Sequence, residues 1–396
     1  MFTEKFRQRC CPICNSAERK KLYRQSFAYF SNIGFLEGYD VVICGGCGFG
    51  YADLIPEQSE FDLYYQKLSK YEHRDADGSE SPIDSRRFID VADLIAHFTE
   101  KNTRILEIGC ATGTLLGVLK RNGFRHVQGL DPSAYCAEAA RRLFGVEVMV
   151  GTISTMTTAA TFDFIILIGV LEHIADLDQA LAKLYKLTSD GGSVYIEVPD
   201  AAGFSCCPDA PFQQFSTEHI NYFSVHALSN LMRRHGFELQ YREQKMKPQT
   251  GMQFMPTVGA VYRKSCYGGD DCFNYDAETE AGLTLYIQRS KLIDKGIHRE
   301  IDPLVDGQEP IIVWGVGTHT FRLLKACRLG EANIMAFIDS NPMYATAEYQ
   351  GIPVLQPCRL QDYPYRVLIS SRVYQNEIVS QIRDRLKCEN ELILLY

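Results

Sequence analysis

The sequence lacks a long run of apolar residues. Its longest one, around residues 164–171, is far shorter than the roughly 20 residues that a helix needs to cross a bilayer. The start, MFTEKFRQRC, is charged and carries no apolar segment of the kind found in secretory signals. We therefore expect a soluble, cytoplasmic protein with no membrane partner.

An excess of positive charge is also missing. The 41 Lys and Arg are outnumbered by 49 Asp and Glu, which gives a net charge of -8 and a pI of about 5.7. Binding to the phosphates of nucleic acid requires clustered Lys and Arg, so we expect no nucleic-acid partner. The length of 396 residues suggests two or three globular domains, and we expect a monomer or a homodimer.

Cysteine is abundant, with 14 residues, and in a cytosolic enzyme this favours metal binding or core packing over disulfides. Most of the cysteines are scattered, but CPIC and CGGC form two C-x-x-C pairs about thirty residues apart. Four thiolates leave no open position on a tetrahedral zinc ion, so such a zinc would be structural. The alternative is two unrelated cysteine turns, and Cys10 lies close enough to confuse the register. The expected zinc ligands are Cys11, Cys14, Cys44 and Cys47.

Strand and helix patterns alternate from about residue 88 to residue 246, which predicts a parallel sheet with helices on both faces. A long helical pattern follows over about 277–301, and Pro303 is expected to end it. A second, smaller alternating set then runs to the end of the sequence. The polar stretch at 70–85 is typical of a loop or linker. The predicted strands of the first set are RILEIG, HVQGLD, VEVMVG, FDFIILIG and GSVYIEVPD.

The glycine loop EIGCATG follows the first of these strands and has two interpretations. A dinucleotide loop has the pattern G-x-G-x-x-G, but Ala111 stands where the middle glycine would be. Glu107, at the strand end, would repel a phosphate and attract a cation. The next strand ends in Asp131, which can accept hydrogen bonds from ribose hydroxyls. S-adenosylmethionine, with an ammonium, a sulfonium and no phosphate, fits this combination better than NAD does.

Residues 104–245 resemble the class I S-adenosylmethionine-dependent methyltransferases on these motifs and on FDFIILIGVLEHIADL. The resemblance implies that the end of that strand lines the methionine side of the cofactor. Many relatives have an acid after the third strand to bind the adenine amine, and here Ile153 and the backbone would replace it. The residues expected to bind the cofactor are Glu107, Gly109, Ala111, Gly113, Asp131, Pro132, Ile153, Leu167, Ile168 and Gly169.

The order of the three parts resembles a narrower group, the sugar C-methyltransferases of deoxysugar and surface-polysaccharide pathways. This implies an α/β fold with a zinc-binding domain at 1–70, a class I Rossmann-like core at 71–265 and a C-terminal Rossmann-like domain at 266–396. The substrate would be a nucleotide-linked sugar. In the C-terminal domain, backbone N–H groups of 315–318 could bind a diphosphate, or the domain could be only structural.

The same resemblance implies a catalytic pair, Glu218 and His219, in which the histidine removes a proton next to a keto group. His173 follows the fourth strand at the sheet edge where such folds bind ligands, and Tyr71 is a further candidate. The sequence departs from the group at Ser216, where a tyrosine is usual, and in the stretch MPTVGAVYR. The alternatives are therefore O- or N-methylation of another small metabolite or glycan, or a non-catalytic protein that binds nucleotide sugars.

Overall fold

The computed structural model describes residues 8–67, 82–249, 253–265 and 272–396. Two compact units make up the chain. The first comprises Met1–Lys21, Val42–Cys207 and Glu218–Leu283, and the second comprises Leu22–Val41, Pro208–Thr217 and Thr284–Tyr396. Within the described residues, no helix has the length and apolar character required to cross a membrane.

The chain alternates between strands and helices along most of its length. The strands, in chain order, are β1 (Arg19–Ser26), β2 (Gly38–Cys44), β3 (Gly50–Asp53), β4 (Arg104–Ile108), β5 (His126–Asp131), β6 (Glu147–Val150), β7 (Phe162–Ile168), β8 (Thr188–Pro199), β9 (Asn221–Tyr222), β10 (Phe237–Gln249), β11 (Gln253–Lys264), β12 (Ile311–Trp314), β13 (Ile334–Ile338), β14 (Glu348–Tyr349), β15 (Ile352–Leu355), β16 (Arg366–Ile369) and β17 (Leu392–Leu394). The α-helices are α1 (Gln58–Lys67), α2 (Pro82–Ala96), α3 (Thr114–Arg121), α4 (Ala134–Phe144), α5 (Leu177–Leu187), α6 (Val225–Arg234), α7 (Ala277–Gly307), α8 (Thr318–Ala326) and α9 (Gln375–Ser380).

The first unit contains a seven-stranded sheet in the order β10-β11-β8-β7-β4-β5-β6. Strands β4, β5, β6, β7 and β8 are parallel neighbours, whereas β11 lies antiparallel to both β8 and β10. The predicted α/β core is therefore confirmed. The strand order reverses between β4 and β7, so the connections that follow these two strands lead to opposite faces of the sheet, and open α/β sheets bind ligands in the crevice at such a point.

Helices cover both faces of this sheet because its central strands are apolar on both sides. In β4, Ile105 packs in a buried cluster with residues of α2 and α3, such as Val91 and Leu115. Leu106 and its neighbours on the opposite face pack with residues of α5 and α6, such as Leu181. Successive side chains of a strand point to opposite faces, so one apolar strand contributes to two cores.

Helix starts in the first unit are set by short polar side chains. The Ser133 hydroxyl accepts a hydrogen bond from the Cys136 N–H at 3.2 Å and caps α4. Asp176 caps α5 through the Gln179 N–H at 2.9 Å, and Ser224 caps α6. Such caps satisfy backbone donors that the first turn of a helix leaves without intrahelical partners.

A four-stranded sheet in the order β1-β2-β3-β9 also includes residues of the N-terminal part of the chain. The second unit has a six-stranded sheet in the order β14-β15-β13-β12-β16-β17. Its strands are parallel apart from β14, which pairs antiparallel with β15. The core of this sheet includes the buried indole of Trp314 and the helical residues Ile378 and Ile382.

The compact units differ from the three consecutive ranges expected from the sequence, because two short segments join the C-terminal part. Gln25 donates from Nε2 to the Phe215 carbonyl at 2.7 Å, and the Tyr39 hydroxyl donates to the Ser216 carbonyl at 2.7 Å. Arg372 donates to the Asp209 carbonyl at 2.8 Å. These bonds lie within the second unit, and such long-range pairing is not visible in a linear pattern.

The prediction that the long helix ends at Pro303 is wrong. Helix α7 continues through Pro303 to Gly307. Proline removes one helical hydrogen bond and strains the turn before it. Leu304 and Val305, just beyond the proline, are buried like Ile301, with 4% and 5% of their surfaces exposed. Burial of this apolar stripe offsets the loss and keeps the last turn helical.

The buried carboxyl group of Asp209 makes the second unit sensitive to pH. Burial raises its pKa from 3.8 to about 7, while the Gln214 amide donates to it at 2.8 Å. Between these two pH values the folded state keeps a proton that the unfolded state has lost, so the contribution of Asp209 to stability is fully present below pH 3.8 and is lost as the pH rises toward 7. We expect a loss of unfolding free energy of a few kcal/mol across this window, and Asp209→Asn should flatten it. Urea unfolding from pH 4 to pH 8 measures the slope. An equal slope in the variant would contradict this assignment.

Candidate active site

The glycine loop after β4 requires a backbone that only small residues tolerate. Gly109 and Gly113 have φ angles of +72° and +78°, in the left-handed region that favours glycine. A Cβ atom on Gly109 would lie 2.7 Å from Val170 Cγ2, and one on Gly113 would lie 2.8 Å from Ala140 Cβ. The two glycines therefore allow the loop to pass close to the segment after β7 and to α4.

Asp131, at the end of β5, holds this loop in place. One carboxylate oxygen accepts a hydrogen bond from the Ala111 N–H at 2.8 Å, and the other accepts from the Ser133 N–H at 3.0 Å. A carboxylate has about four lone-pair positions, so these two bonds do not prevent it from accepting a ribose hydroxyl. Asp131 thus holds the loop in place and can still accept a hydrogen bond from a ribose hydroxyl, as expected from the sequence.

A cleft of about 170 Å³ opens beside the loop, at the carboxyl ends of β4, β5 and β7. None of the described residues that line it is Lys or Arg, whereas Asp62, Asp131 and Glu218 are acidic. This charge suits a sulfonium or an ammonium and disfavours a pyrophosphate. The expected cofactor residues that line the cleft are Gly109, Asp131, Pro132, Ile153, Ile168 and Gly169.

The other expected cofactor residues are not among those that line the cleft. Glu107, the penultimate residue of β4, is 4% exposed, and Ala111 and Gly113 belong to the loop itself. Leu167 is fully buried in the cluster shared with α5, so the structure places its side chain in the core and not in the cleft. The alternation along β7 explains this, because adjacent side chains cannot face the same side.

His173, which lines the cleft, lies next to His219. The ring centroids of His173 and His219 are 5.0 Å apart, and the ring planes are inclined by 71°. His173 Nδ1 lies 3.1 Å from the Glu218 carbonyl, which can only accept a hydrogen bond. Nδ1 also lies within hydrogen-bond distance of the Tyr65 hydroxyl, and Nε2 lies 4.0 Å from Glu172 Oε1. The sequence-predicted catalytic residues His173, Glu218 and His219 are therefore brought together.

Helix α1 contributes two tyrosines that the sequence did not single out. The Tyr65 hydroxyl lies 2.9 Å from His173 Nδ1, and the Tyr64 hydroxyl donates to Glu218 Oε1 at 3.2 Å. The sequence feature that could have indicated these residues is the pair of adjacent tyrosines just before the polar stretch. Tyr71, the tyrosine expected from the sequence, lies outside the described residues.

A second cleft of about 580 Å³ adjoins the first and shares Gln58, Asp62 and Ser154 with it. Together the two clefts exceed the roughly 300 Å³ at the lower end of ligand pockets. Arg9 is the basic residue among the described residues that line the larger cleft. Its guanidinium already donates to the carbonyls of Ala52 and Ala175 at 3.0 and 2.8 Å.

The four cysteines of the two C-x-x-C pairs also come together, with their sulfur atoms within 4.8 Å of one another. The Cys11 and Cys47 sulfurs are 3.5 Å apart, and those of Cys14 and Cys44 are 3.4 Å apart. A tetrahedron with Zn–S bonds of about 2.3 Å has sulfurs about 3.8 Å apart. The donor set and its spacing therefore fit a zinc ion with four thiolate ligands.

The family model described as "Methyltransferase domain" matches residues 83–241, and one described as "C2185-like, N-terminal" matches residues 307–394. A probable S-adenosylmethionine-dependent methyltransferase of Mycolicibacterium smegmatis is 27% identical over 138 residues, which are 34% of this chain and 52% of that protein. The core therefore has the fold and sequence of an S-adenosylmethionine-dependent methyltransferase domain.

The ubiquinone biosynthesis O-methyltransferase of Mesorhizobium japonicum is 36% identical over 100 residues, 24% of this chain and 39% of that protein. A solved methyltransferase of Thermotoga maritima, described as a possible histamine N-methyltransferase, is 23% identical with a TM-score of 0.37, covering 46% of this chain and 92% of that one. The chain thus spans 52% of the length of the curated relative from Mycolicibacterium and 39% of that from Mesorhizobium.

Asp131 is the side chain that a cofactor-binding measurement tests most directly. In Asp131→Asn, the amide N–H₂ would face one of the two backbone N–H groups whose hydrogen bonds the carboxylate now accepts. We expect the Kd for S-adenosylhomocysteine, measured by calorimetry, to rise about 10- to 100-fold, as for loss of a hydrogen bond to a charged group. Asp163→Asn is the matched control, because Asp163 pairs with Arg104 at 2.8 Å on the surface. Equal affinities in both variants would contradict the assignment.

Proposed function

We propose that this protein transfers a methyl group from S-adenosylmethionine to a nucleotide-linked sugar in deoxysugar or surface-polysaccharide biosynthesis. One observation carries the proposal. Glu218, the first residue of the pair implied by the resemblance to sugar C-methyltransferases, lines the cleft together with His173, and the ring of His219 lies 5.0 Å from that of His173. The curated relatives support methyl transfer by the core, and the acceptor is inferred from the pair and from the order of the parts.

The cofactor supplies an electrophilic methyl group on a sulfonium, and the protein supplies position and a base. An imidazole nitrogen of His219 would take the proton from the carbon next to the keto group of the sugar. Neutral imidazole suits this step because its ordinary pKa lies near neutrality. The Tyr64 hydroxyl donates to the Glu218 carboxylate, and His173 Nδ1 lies 3.1 Å from the Glu218 carbonyl, so the residues around the base have defined positions.

The walls of the larger cleft bear on how the acceptor is held. Asn15 and Ser59 offer hydrogen-bonding groups of the kind that bind sugar hydroxyls. Carboxylates also line this cleft, and Arg9 is committed to backbone oxygens, so a diphosphate is poorly matched there. The diphosphate site expected at 315–318 in the second unit stays a prediction.

This charge distribution favours a second candidate, O- or N-methylation of another small metabolite or a glycan without a diphosphate. The similarity to an O-methyltransferase of ubiquinone biosynthesis is consistent with it, although that similarity covers 24% of the chain. His219 would then remove a proton from a hydroxyl or an amine. A non-catalytic nucleotide-sugar binding protein is the remaining alternative, and a core without affinity for the cofactor would favour it.

We also propose that the four-cysteine cluster holds a structural zinc ion. Cys11, Cys44 and Cys47 are almost completely buried, with 2% or less of their surfaces exposed. Buried thiols close together at these spacings are typical of zinc knuckles, and the four thiolates would complete the coordination of the ion. The zinc would then stabilise the N-terminal part of the first unit and take no part in methyl transfer.

The acceptor and the base are tested together by transfer of a tritiated methyl group to a panel of keto and hydroxy nucleotide sugars, free sugars and amines. We expect incorporation into a keto nucleotide sugar. His219→Ala should lower kcat by about 100-fold or more, the usual contribution of general-base catalysis, and leave the Kd for S-adenosylhomocysteine unchanged. His97→Ala is the control, since His97 is exposed and contacts the Asp93 carbonyl. Near-normal turnover in His219→Ala would rule out the base, and incorporation only into acceptors without a diphosphate would favour the second candidate.

Metal analysis tests the zinc site. We expect one zinc per chain in native protein purified without a metal-affinity resin. Cys44→Ser should bind less zinc and unfold at a lower temperature, because a structural zinc contributes folding free energy directly. Cys10→Ser is the control, as Cys10 is exposed and adjacent to the cluster but not part of it. A zinc content near zero in the native protein would overturn the proposal.

A further inference from the structure

Arg9, two residues before the first cysteine of the cluster, connects separate segments of the first unit. Its backbone N–H donates to Asp53 Oδ1 at 2.7 Å. Nη1 donates to the Ala52 carbonyl at 3.0 Å, and Nη2 donates to the Ala175 carbonyl at 2.8 Å and to Asn221 Oδ1 at 3.3 Å. The guanidinium thus joins the end of β3, the segment after His173 and the short strand β9.

Asn221 extends these connections with the other end of its amide. Nδ2 donates to the Leu171 carbonyl at 2.9 Å and to the Ile174 carbonyl at 2.7 Å. Leu171 begins the 3-10 helix Leu171–His173 and Ile174 follows its end, so one amide group fixes both ends of this turn. Asn221 is 2% exposed, so its side-chain hydrogen bonds are shielded from water. The two acceptors on one side and the guanidinium on the other allow a single orientation of the amide.

Backbone bonds place both histidines on this same framework. The Ile220 N–H donates to the Glu172 carbonyl at 2.9 Å, and the Ala52 N–H donates to the Ile220 carbonyl at 2.9 Å. Glu172 and Ile220 are the immediate neighbours of His173 and His219. The distance and angle between the two imidazoles therefore depend on how the 3-10 turn and β9 are held together.

We propose that Arg9 and Asn221 are positioning residues that set the relative placement of His173 and His219. The proposal rests on the proposed function in one respect, that these histidines act on the acceptor. A charged donor that bonds several carbonyls from different segments fixes their geometry more strictly than a neutral group would.

Arg9 also lines the larger cleft, so a direct contact with the acceptor is the competing explanation for any effect on activity. The two roles separate kinetically. A positioning role lowers kcat and leaves the acceptor KM nearly unchanged, because the ground-state complex is intact and the catalytic geometry is not. A contact with the bound acceptor raises KM instead.

The first test compares Arg9→Gln with Arg9→Lys and with a matched control, Arg19→Gln. Arg19 pairs with the other oxygen of Asp53 at 2.8 Å. The contacts of Arg9 with Ala175 and Asn221 do not involve Arg19, so they remain in the control variant. In Arg9→Gln we expect kcat to fall by about 10- to 100-fold, the usual effect of a misplaced catalytic group, with the Kd for S-adenosylhomocysteine unchanged. Arg9→Lys keeps the charge but reaches fewer acceptors and should be intermediate. Arg19→Gln should behave as wild type. A raised KM with normal kcat in Arg9→Gln would overturn the proposal in favour of direct contact.

Hydrogen exchange gives a readout that needs no acceptor and no catalysis. The amides of His173, Ile174 and Ile220 are all hydrogen-bonded in this framework. In Arg9→Gln we expect them to exchange about tenfold faster or more, while amides of β4 and β5 keep their protection. Unchanged exchange at these three amides would refute the positioning role even if activity is lost.

Asn221→Asp provides the second variant. It keeps an oxygen for Arg9 but replaces the amide donor by a carboxylate that faces the Leu171 and Ile174 carbonyls. We expect faster exchange at His173 and Ile174 and a fall in kcat at least as large as in Arg9→Gln, with near-ultraviolet circular dichroism verifying the fold. Protection equal to wild type would contradict the proposal. If the wild-type protein methylates no acceptor, the proposed function fails while the exchange measurements still decide the positioning role.

Discussion

The cleft beside the glycine loop depends on the hydrogen bond between Asp131 and the Ala111 N–H. A loop that turns sharply after a buried strand exposes backbone donors that need partners, and here a carboxylate at the tip of the neighbouring strand accepts one of them at 2.8 Å. The bond closes the loop against β5 and leaves the crevice between β4 and β7 open. The other carboxylate oxygen accepts from Ser133, the residue that caps α4, so loop, strand and helix are fixed by one charged group.

The second unit uses the same arrangement. Asp339 follows β13 and accepts from the Val316 N–H at 2.7 Å and from the Asn341 N–H at 2.8 Å, and burial raises its pKa. A carboxylate at this position is therefore a general solution for a glycine turn in a parallel sheet and does not by itself identify a ligand. In the first unit, two further observations point to S-adenosylmethionine as the ligand. They are the acidic residues that line the cleft and the match of residues 83–241 to methyltransferase domains.

The amino-acid pattern alone was sufficient to predict the α/β fold of the core, because strands such as β4 and β7 are short apolar runs followed by glycine or acidic residues. Glu218 and His219 were implied by the resemblance to a family motif, and their catalytic role stays a prediction. The pattern could not place Tyr64 and Tyr65, since their contacts with Glu218 and His173 link residues more than a hundred positions apart. The helix end predicted at Pro303 was wrong for a related reason: local propensity predicted a stop, and burial of the residues beyond it overrode that preference.

Helix α1 lies outside the methyltransferase core and contributes residues to both clefts. Gln58, Asp62 and Tyr65 are spaced so that they share one face of this helix, and all three line the cleft beside the glycine loop. Gln58 and Asp62 also line the larger cleft, and Tyr65 contacts His173. The wall that faces both clefts thus comes from residues before the matched methyltransferase domain. We infer that the chemistry of methyl transfer belongs to the core, whereas the choice of acceptor would depend in part on helix α1.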